Sequence, residues 1–173
     1  MKPEVKIRRA VPPDAGALAE LGASTFAETF AAENTPEDMG TYLAQAFTPA
    51  RLAEELADPR VTFLLASVEG EPAGYAKLYR GEPPACVTGE SPLELSRLYV
   101  ARKWLGGGVG RELMQKCVDE ARESGARVMW LGVWEKNLRA QAFYRKWGFT
   151  PVGRQVFQLG ADAQTDWVMQ CAL

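Results

Sequence analysis

Four glycines fall within five residues, Gly106, Gly107, Gly108 and Gly110, where an apolar strand-like run (residues 93–100) gives way to a helix-like stretch from Arg111 to about Glu123. Glycine at such a junction lets successive backbone N–H groups converge with no Cβ in the way. The start of the helix adds a partial positive charge, so the segment is a ready anion site, phosphate above all. Neither a Walker lysine nor a Rossmann spacing of glycines accompanies it. The two commonest nucleotide-binding readings are thereby removed.

The rest of the chain supplies the elements around that turn. Residues 5–10 alternate like a short strand closed by Pro12 and Pro13, and Asp14 is placed to cap a helix that carries Leu18, Leu21 and Phe26 to about Phe30. Residues 34–38 restart a helix with Pro36 in its first turn, its apolar side being Tyr42, Leu43 and Phe47, and a third short helix covers residues 50–57. Residues 61–68 and 73–79 flank the turn Glu69-Gly70-Glu71-Pro72, a hairpin signature. After a Pro/Gly-rich loop, the strand and the glycine turn, Val109, Leu113, Cys117 and Ala121 recur at helical spacing. Residues 128–133 are continuously apolar, as in a central strand covered on both faces. Asn137 caps a helix running to Trp147 and stopped by Gly148, and strands near 151–159 and 166–173 close the chain. The order reads as one mixed α/β domain over residues 1–173.

Composition removes several kinds of chemistry. The chain has no histidine, so the commonest general base, the usual triads and most zinc sites are absent; carboxylates, Tyr, Lys, Cys or backbone groups must serve, and no metal is expected. A net charge of −2 disfavours a nucleic-acid partner. No run is long and apolar enough for a bilayer, and the N-terminus lacks a secretory apolar region, which makes the cytoplasm the simplest location. Cys86, Cys117 and Cys171 show no metal-binding spacing. Acids crowd residues 26–59, where seven face the single base Arg51. They are either solvated helix faces or an acidic rim for a cationic substrate.

The segment Leu98-Tyr99-Val100 followed by Gly106-Gly107-Gly108-Val109-Gly110 resembles the acetyl-CoA motif of the GNAT N-acetyltransferases. The segment from Trp130 to Asn137, followed by Ala142-Phe143-Tyr144 and Gly148-Phe149, is similar to that family's second signature. Leu105 stands where the motif carries Gln or Arg, so backbone amides must do the cradling there. Upstream, Ser24 to Phe30, Asn34 to Met39 and Tyr42-Leu43 resemble the PaiA-type spermidine/spermine N-acetyltransferases, as does Gln164-Thr165-Asp166.

The resemblance implies a single-domain acyl-CoA N-acyltransferase fold, a mixed central sheet of about seven strands with helices on both faces. It implies acetyl-CoA as cosubstrate and a small-molecule amine as acceptor, spermidine or spermine first. Other amines (a protein N-terminus, a lysine, an amino acid, an aminoglycoside) and a CoA-binding regulatory module without turnover stay open, and a homodimer is compatible with the chain. The backbone of Leu98, Tyr99 and Val100 would pair with the pantetheine amides. Gly106, Gly107, Gly108, Val109, Gly110 and Arg111 would hold the diphosphate, with Asn137 and Lys146 near the cofactor. Glu94, six residues before Val100, is the candidate base. Tyr144 shares a helix face with Asn137 and is the candidate acid for the leaving thiolate. Glu28 and Glu33 are candidates for binding alkylammonium groups. Without a histidine to activate a cysteine, direct transfer in a ternary complex is favoured over an acyl-cysteine route.

Overall fold

The computed structural model describes residues 2–173. Its strands are β1 (Val5–Arg9), β2 (Val61–Val68), β3 (Glu71–Tyr79), β4 (Pro92–Val100), β5 (Val128–Trp134), β6 (Thr150–Leu159) and β7 (Asp162–Ala172). Its helices are α1 (Ala15–Phe30), α2 (Pro36–Ala46), α3 (Pro49–Ala57), α4 (Val109–Glu123) and α5 (Leu138–Lys146). The strands form a single sheet in the order β1-β2-β3-β4-β5-β7-β6. Every pairing is antiparallel except β4 with β5, as the expected mixed sheet requires.

Strand alternation builds two cores, one on each face of the sheet. Leu64, Ala66, Leu78, Leu95, Met129 and Leu131 meet the apolar side of α4, namely Val109, Leu113, Met114, Cys117 and Ala121. Phe63, Leu65 and Tyr75 point to the other face and pack under Leu18 and Phe26 of α1 and Leu52 of α3. Full burial of each Leu or Met contributes roughly 1.5–3 kcal/mol. At the sheet edge, Arg9 of β1 clamps the nearly buried Glu120 of α4, which Lys116 also approaches at 3.6 Å. The Arg9 guanidinium holds that carboxyl below the usual range.

Strand β4 breaks its own alternation. Its register against β3 shifts between Lys77 and Leu78, so that Lys77 faces Arg97 while Leu78 faces Leu95. Ser96 is the extra residue, a β-bulge. Leu95 and Leu98 consequently share the α4 face, and Glu94 and Arg97 share the other, although each pair is three apart in sequence. Beyond the bulge β4 leans on β3, and its pairing with β5 stops after Glu94↔Trp130.

Three expectations shift at their edges. Helix α4 begins at Val109 rather than Arg111, because Gly108 at φ +94° serves as its N-cap. Strand β7 begins at Asp162 rather than near Asp166; its first residues, Asp162 to Thr165, are polar or small, but pairing with β6 from Leu159↔Asp162 onward makes them strand. Asp14 does not cap α1. Its carboxylate turns back to accept from Val11 N at 2.7 Å and from the Arg8 guanidinium at 2.7 and 2.8 Å.

Gly74 of β3 lies where β3, β4 and α4 meet. A Cβ there would sit 2.7 Å from the Tyr99 carbonyl oxygen and 3.2 Å from Leu113 Cδ1. The first is a backbone atom and cannot move aside cheaply. Gly74→Ala is therefore expected to cost ~1–3 kcal/mol. Urea unfolding measures this, and an unchanged midpoint would show that the strand relaxes freely.

Candidate active site

The divergence of β4 and β5 opens a fork. The β3-facing side of Leu98, Tyr99 and Val100 is paired with Ala76, Tyr75 and Gly74, while no partner occupies the side toward β5. Directly after this free edge the chain makes a short 3-10 turn, Arg102–Trp104, and enters the glycine segment. Gly106 (φ +80°) and Gly108 (φ +94°) take left-handed conformations that side chains resist. No side chain caps α4, so the first-turn N–H groups of Val109, Gly110 and Arg111 keep their donors free for an anion. At Gly110 α4 packs near both β4 and α5: a Cβ there would make ordinary contact with Val100 and Phe143, at 3.6 and 3.9 Å.

A cavity of about 790 Å³ runs from this turn through the fork to the opposite face of the sheet. Leu98, Tyr99, Val100, Gly106, Gly108, Gly110, Arg111, Asn137, Tyr144, Glu94 and Glu28 all line it. Gly107, Val109, Lys146 and Glu33 do not. Val109 turns its side chain into the α4 core at 2% exposure, so it could offer an anion only its amide. Gly107 N donates inward to the Trp104 carbonyl at 3.2 Å. Lys146, at the last turn of α5, and Glu33, in the 3-10 turn after α1, are both exposed to solvent.

The acid-rich stretch is largely taken up by structure. Glu28 accepts from the Arg102 backbone N at 2.7 Å and so pins α1 to the turn below the glycines. Asp38 accepts from Ala161 N at 2.9 Å, Asp58 pairs with Arg60 at 2.8 Å, and Glu55 is buried between Lys77 (3.2 Å) and Arg97 (3.6 Å). Lys103 pairs with Glu71 at 2.7 Å and the Arg102 guanidinium donates to the Glu28 carbonyl at 2.9 Å, leaving Arg111 and Arg139, among the described residues, as the exposed cations without a partner on the cofactor side of the cavity.

On the far face, Glu94 and Arg97 of β4 meet Trp134 of β5, Gln155 and Phe157 of β6, and Asp166 of β7. Phe26 and Phe30 of α1 roof this chamber, with Phe30 edge-on to Trp134 at 5.8 Å and Phe26 stacked on Tyr42 at 4.5 Å. Burial raises the Glu94 carboxyl above its ordinary value, against the lowering effects of Ser96, Lys77 and Arg97. Burial likewise pushes the Tyr144 phenol well up, so it stays protonated across the neutral range. Asn137 is held by its own helix, accepting from Ala140 N at 3.2 Å, and Gln141 is spent on the Trp134 and Glu135 carbonyls. Arg139, Arg97, Gln155 and Asp166 were not legible as a group. Arg97 reaches the chamber only through the β4 bulge, and Asp166 only through the registers of β7 with β5 and β6.

A forked sheet with a glycine cradle at its open end, crossed by a cavity reaching both faces, defines an acyltransferase fold of the N-acetyltransferase class. The family model described as "Acetyltransferase (GNAT) family" matches residues 24–149, and the chain belongs to that family. It is 36% identical over 169 residues to an uncharacterised N-acetyltransferase of Lactobacillus delbrueckii subsp. lactis, covering 98% of each chain. It is 39% identical over 156 residues to an uncharacterised N-acetyltransferase of Mycobacterium tuberculosis (strain ATCC 25618 / H37Rv), covering 90% of this chain and 96% of that one. Among solved structures it resembles the PaiA N-acetyltransferase of Thermoplasma acidophilum in complex with coenzyme A, with a TM-score of 0.76 and 19% identity over 98% of this chain and 99% of that one. Likeness at that identity speaks to the fold. The protein is an acyltransferase, and no helix among the described residues is long and apolar enough to cross a membrane.

Proposed function

We propose that the protein transfers the acetyl group of acetyl-CoA directly to a primary amine, with a polyamine such as spermidine or spermine as acceptor. The observation that carries this reading is the through-cavity, which joins an uncapped helix start and a free strand edge on one side to a carboxylate-bearing aromatic chamber on the other. Acetyl-CoA supplies a thioester, an acyl group already activated toward an amine. The free edge at Leu98 to Val100 suits the pantetheine amides, and the amides of Gly106 and of Gly108 to Arg111, with the Arg111 and Arg139 guanidiniums, suit the diphosphate. Glu94, made more basic by its surroundings, would take the proton that an alkylammonium must lose before it attacks. Tyr144 would give a proton to the departing thiolate, and backbone N–H groups at Tyr99 or Val100 are the nearest donors for the developing oxyanion. An acyl-cysteine is disfavoured, because burial pushes the Cys117 thiol up to about 12.

Thiol release from acetyl-CoA with a panel of amines tests the reading. Release with spermidine or spermine supports it. Release with peptides alone would discard the polyamine, and CoA binding without release would favour a regulatory module. Glu28, on the cavity rim, is expected to help hold the acceptor: Glu28→Gln should lower kcat/KM for spermidine by ~2–5-fold, the scale of an exposed ion pair. Glu33→Gln, outside the cavity, should leave it unchanged, and a loss in Glu33→Gln alone would reverse that assignment.

A further inference from the structure

Asp166 is a carboxylate that the transfer described above does not use. It lies on β7 opposite Trp134 of β5 and Gln155 of β6, is only 7% exposed, and lines the chamber. Gly132, its diagonal neighbour on β5, makes room for it. A Cβ at Gly132 would come within 2.2 Å of Gln155 Nε2 and 3.1 Å of Asp166 Oδ2. The carboxylate and the amide thus project into the space that a side chain would fill.

The other buried carboxylates have cations: Glu55 has Lys77 and Arg97, and Glu120 has Arg9 and Lys116. Among the described residues Asp166 has only the Gln155 amide, with no cation to offset its burial, and its carboxyl is lifted to about 6. The titratable group that feels its charge is the Tyr42 phenol of α2. Burying an ion with no counter-charge is costly, and a cationic ligand removes that cost. The aromatic walls around it, Trp134, Phe157 and Phe30, suit both methylenes and an ammonium.

The two ends of the chamber differ in sign. At the Glu94 end, the Lys77 ammonium and the Arg97 guanidinium stand close by and disfavour a retained positive charge, which suits an amine about to attack in its neutral form. At the Asp166 end a lone anion favours an amine that keeps its proton. Glu94 faces Trp130 and Asp166 faces Trp134, on opposite sides of β5 and on the same sheet face. Strand geometry separates their backbone positions by ~16 Å.

Resting on the polyamine reading, we propose that Asp166 sets acceptor specificity by binding the second, non-reacting ammonium of a linear di- or polyamine whose reacting nitrogen lies by Glu94. The test compares wild type with Asp166→Asn in thiol release from acetyl-CoA, using spermidine and a monoamine of matched length. The expected result is a ~10–100-fold loss of kcat/KM for spermidine, carried by KM, with kcat and the monoamine within ~2-fold. Equal losses on both amines, or no loss on either, would overturn the proposal. If the wild type turns over no amine at all, the polyamine reading fails, and spermidine titration of the CoA-loaded protein decides this one: tenfold weaker binding in Asp166→Asn sustains it, and equal or absent binding ends it. Folding serves as a control. A carboxyl raised in the native state costs stability as pH rises through about 6, so Asp166→Asn should melt no lower than wild type at pH 8.

Discussion

Tyr144→Phe is expected to lower kcat for acetyl transfer by ~10²-fold or more while coenzyme A affinity stays within ~3-fold. The ring sits at the fork, edge-on to Phe143 at 5.5 Å and to Phe149 at 5.8 Å, and borders the cavity. Phenylalanine keeps those ring contacts, so the fold and the shape of the fork should survive. What disappears is one O–H at the place where a thiolate would leave. Burial raises the phenol well above its ordinary value, which keeps the proton available throughout the neutral range and makes its return from solvent after each turnover part of the cycle. Kinetics of the variant with a better leaving thiol in place of coenzyme A sharpen the test, because a general acid matters less when the leaving group needs less help. A variant with unchanged kcat would make Tyr144 a packing residue.

Glu94→Gln should lower kcat/KM by ~10²–10⁴-fold and remove the acid limb of its pH profile. The sign follows from the environment. A base works only when ionised, and burial raises the Glu94 carboxyl, so wild-type activity should fall with decreasing pH at a point above the usual carboxylate range. The opposing effects of Lys77 and Arg97 keep that point from climbing further. Glutamine preserves size and hydrogen bonding but cannot accept the proton. A variant that loses activity yet keeps the acid limb would place the base elsewhere in the chamber.

Much of this architecture is written locally. The glycine turn, the α4 stripe of Leu113 and Cys117, and the apolar β5 run each declare themselves within a dozen residues, because turn chemistry and periodicity are short-range properties. The cofactor side of the cavity follows from them, since backbone amides need only a strand, a turn and a helix start in sequence. The acceptor side does not. Arg97 and Glu94 share a face only because Ser96 is bulged, and alternation would put residues three apart on opposite faces. Asp166 and Gln155 pair across the β6–β7 hairpin, but they meet Trp134 and the chamber only because β7 inserts between β5 and β6, a pairing order that no local pattern encodes. The acids of residues 26–59 misled in a related way. Charge density marks a surface, but whether Glu55 meets a substrate or a buried lysine depends on contacts made across the fold.

The bulge at Ser96 has one more consequence, for how this chain can change. Upstream of it the odd-numbered residues of β4 face α4, and downstream the even-numbered ones do. Deleting Ser96 would make Leu95↔Leu78 and Arg97↔Lys77 consecutive pairs, leaving Leu98 and Val100 on their present face but removing the bend that the extra residue puts into β4 beside the fork. Replacing Ser96 with another residue would leave the bend untouched. The site at this point is written in the chain's length, and its spelling there is comparatively free.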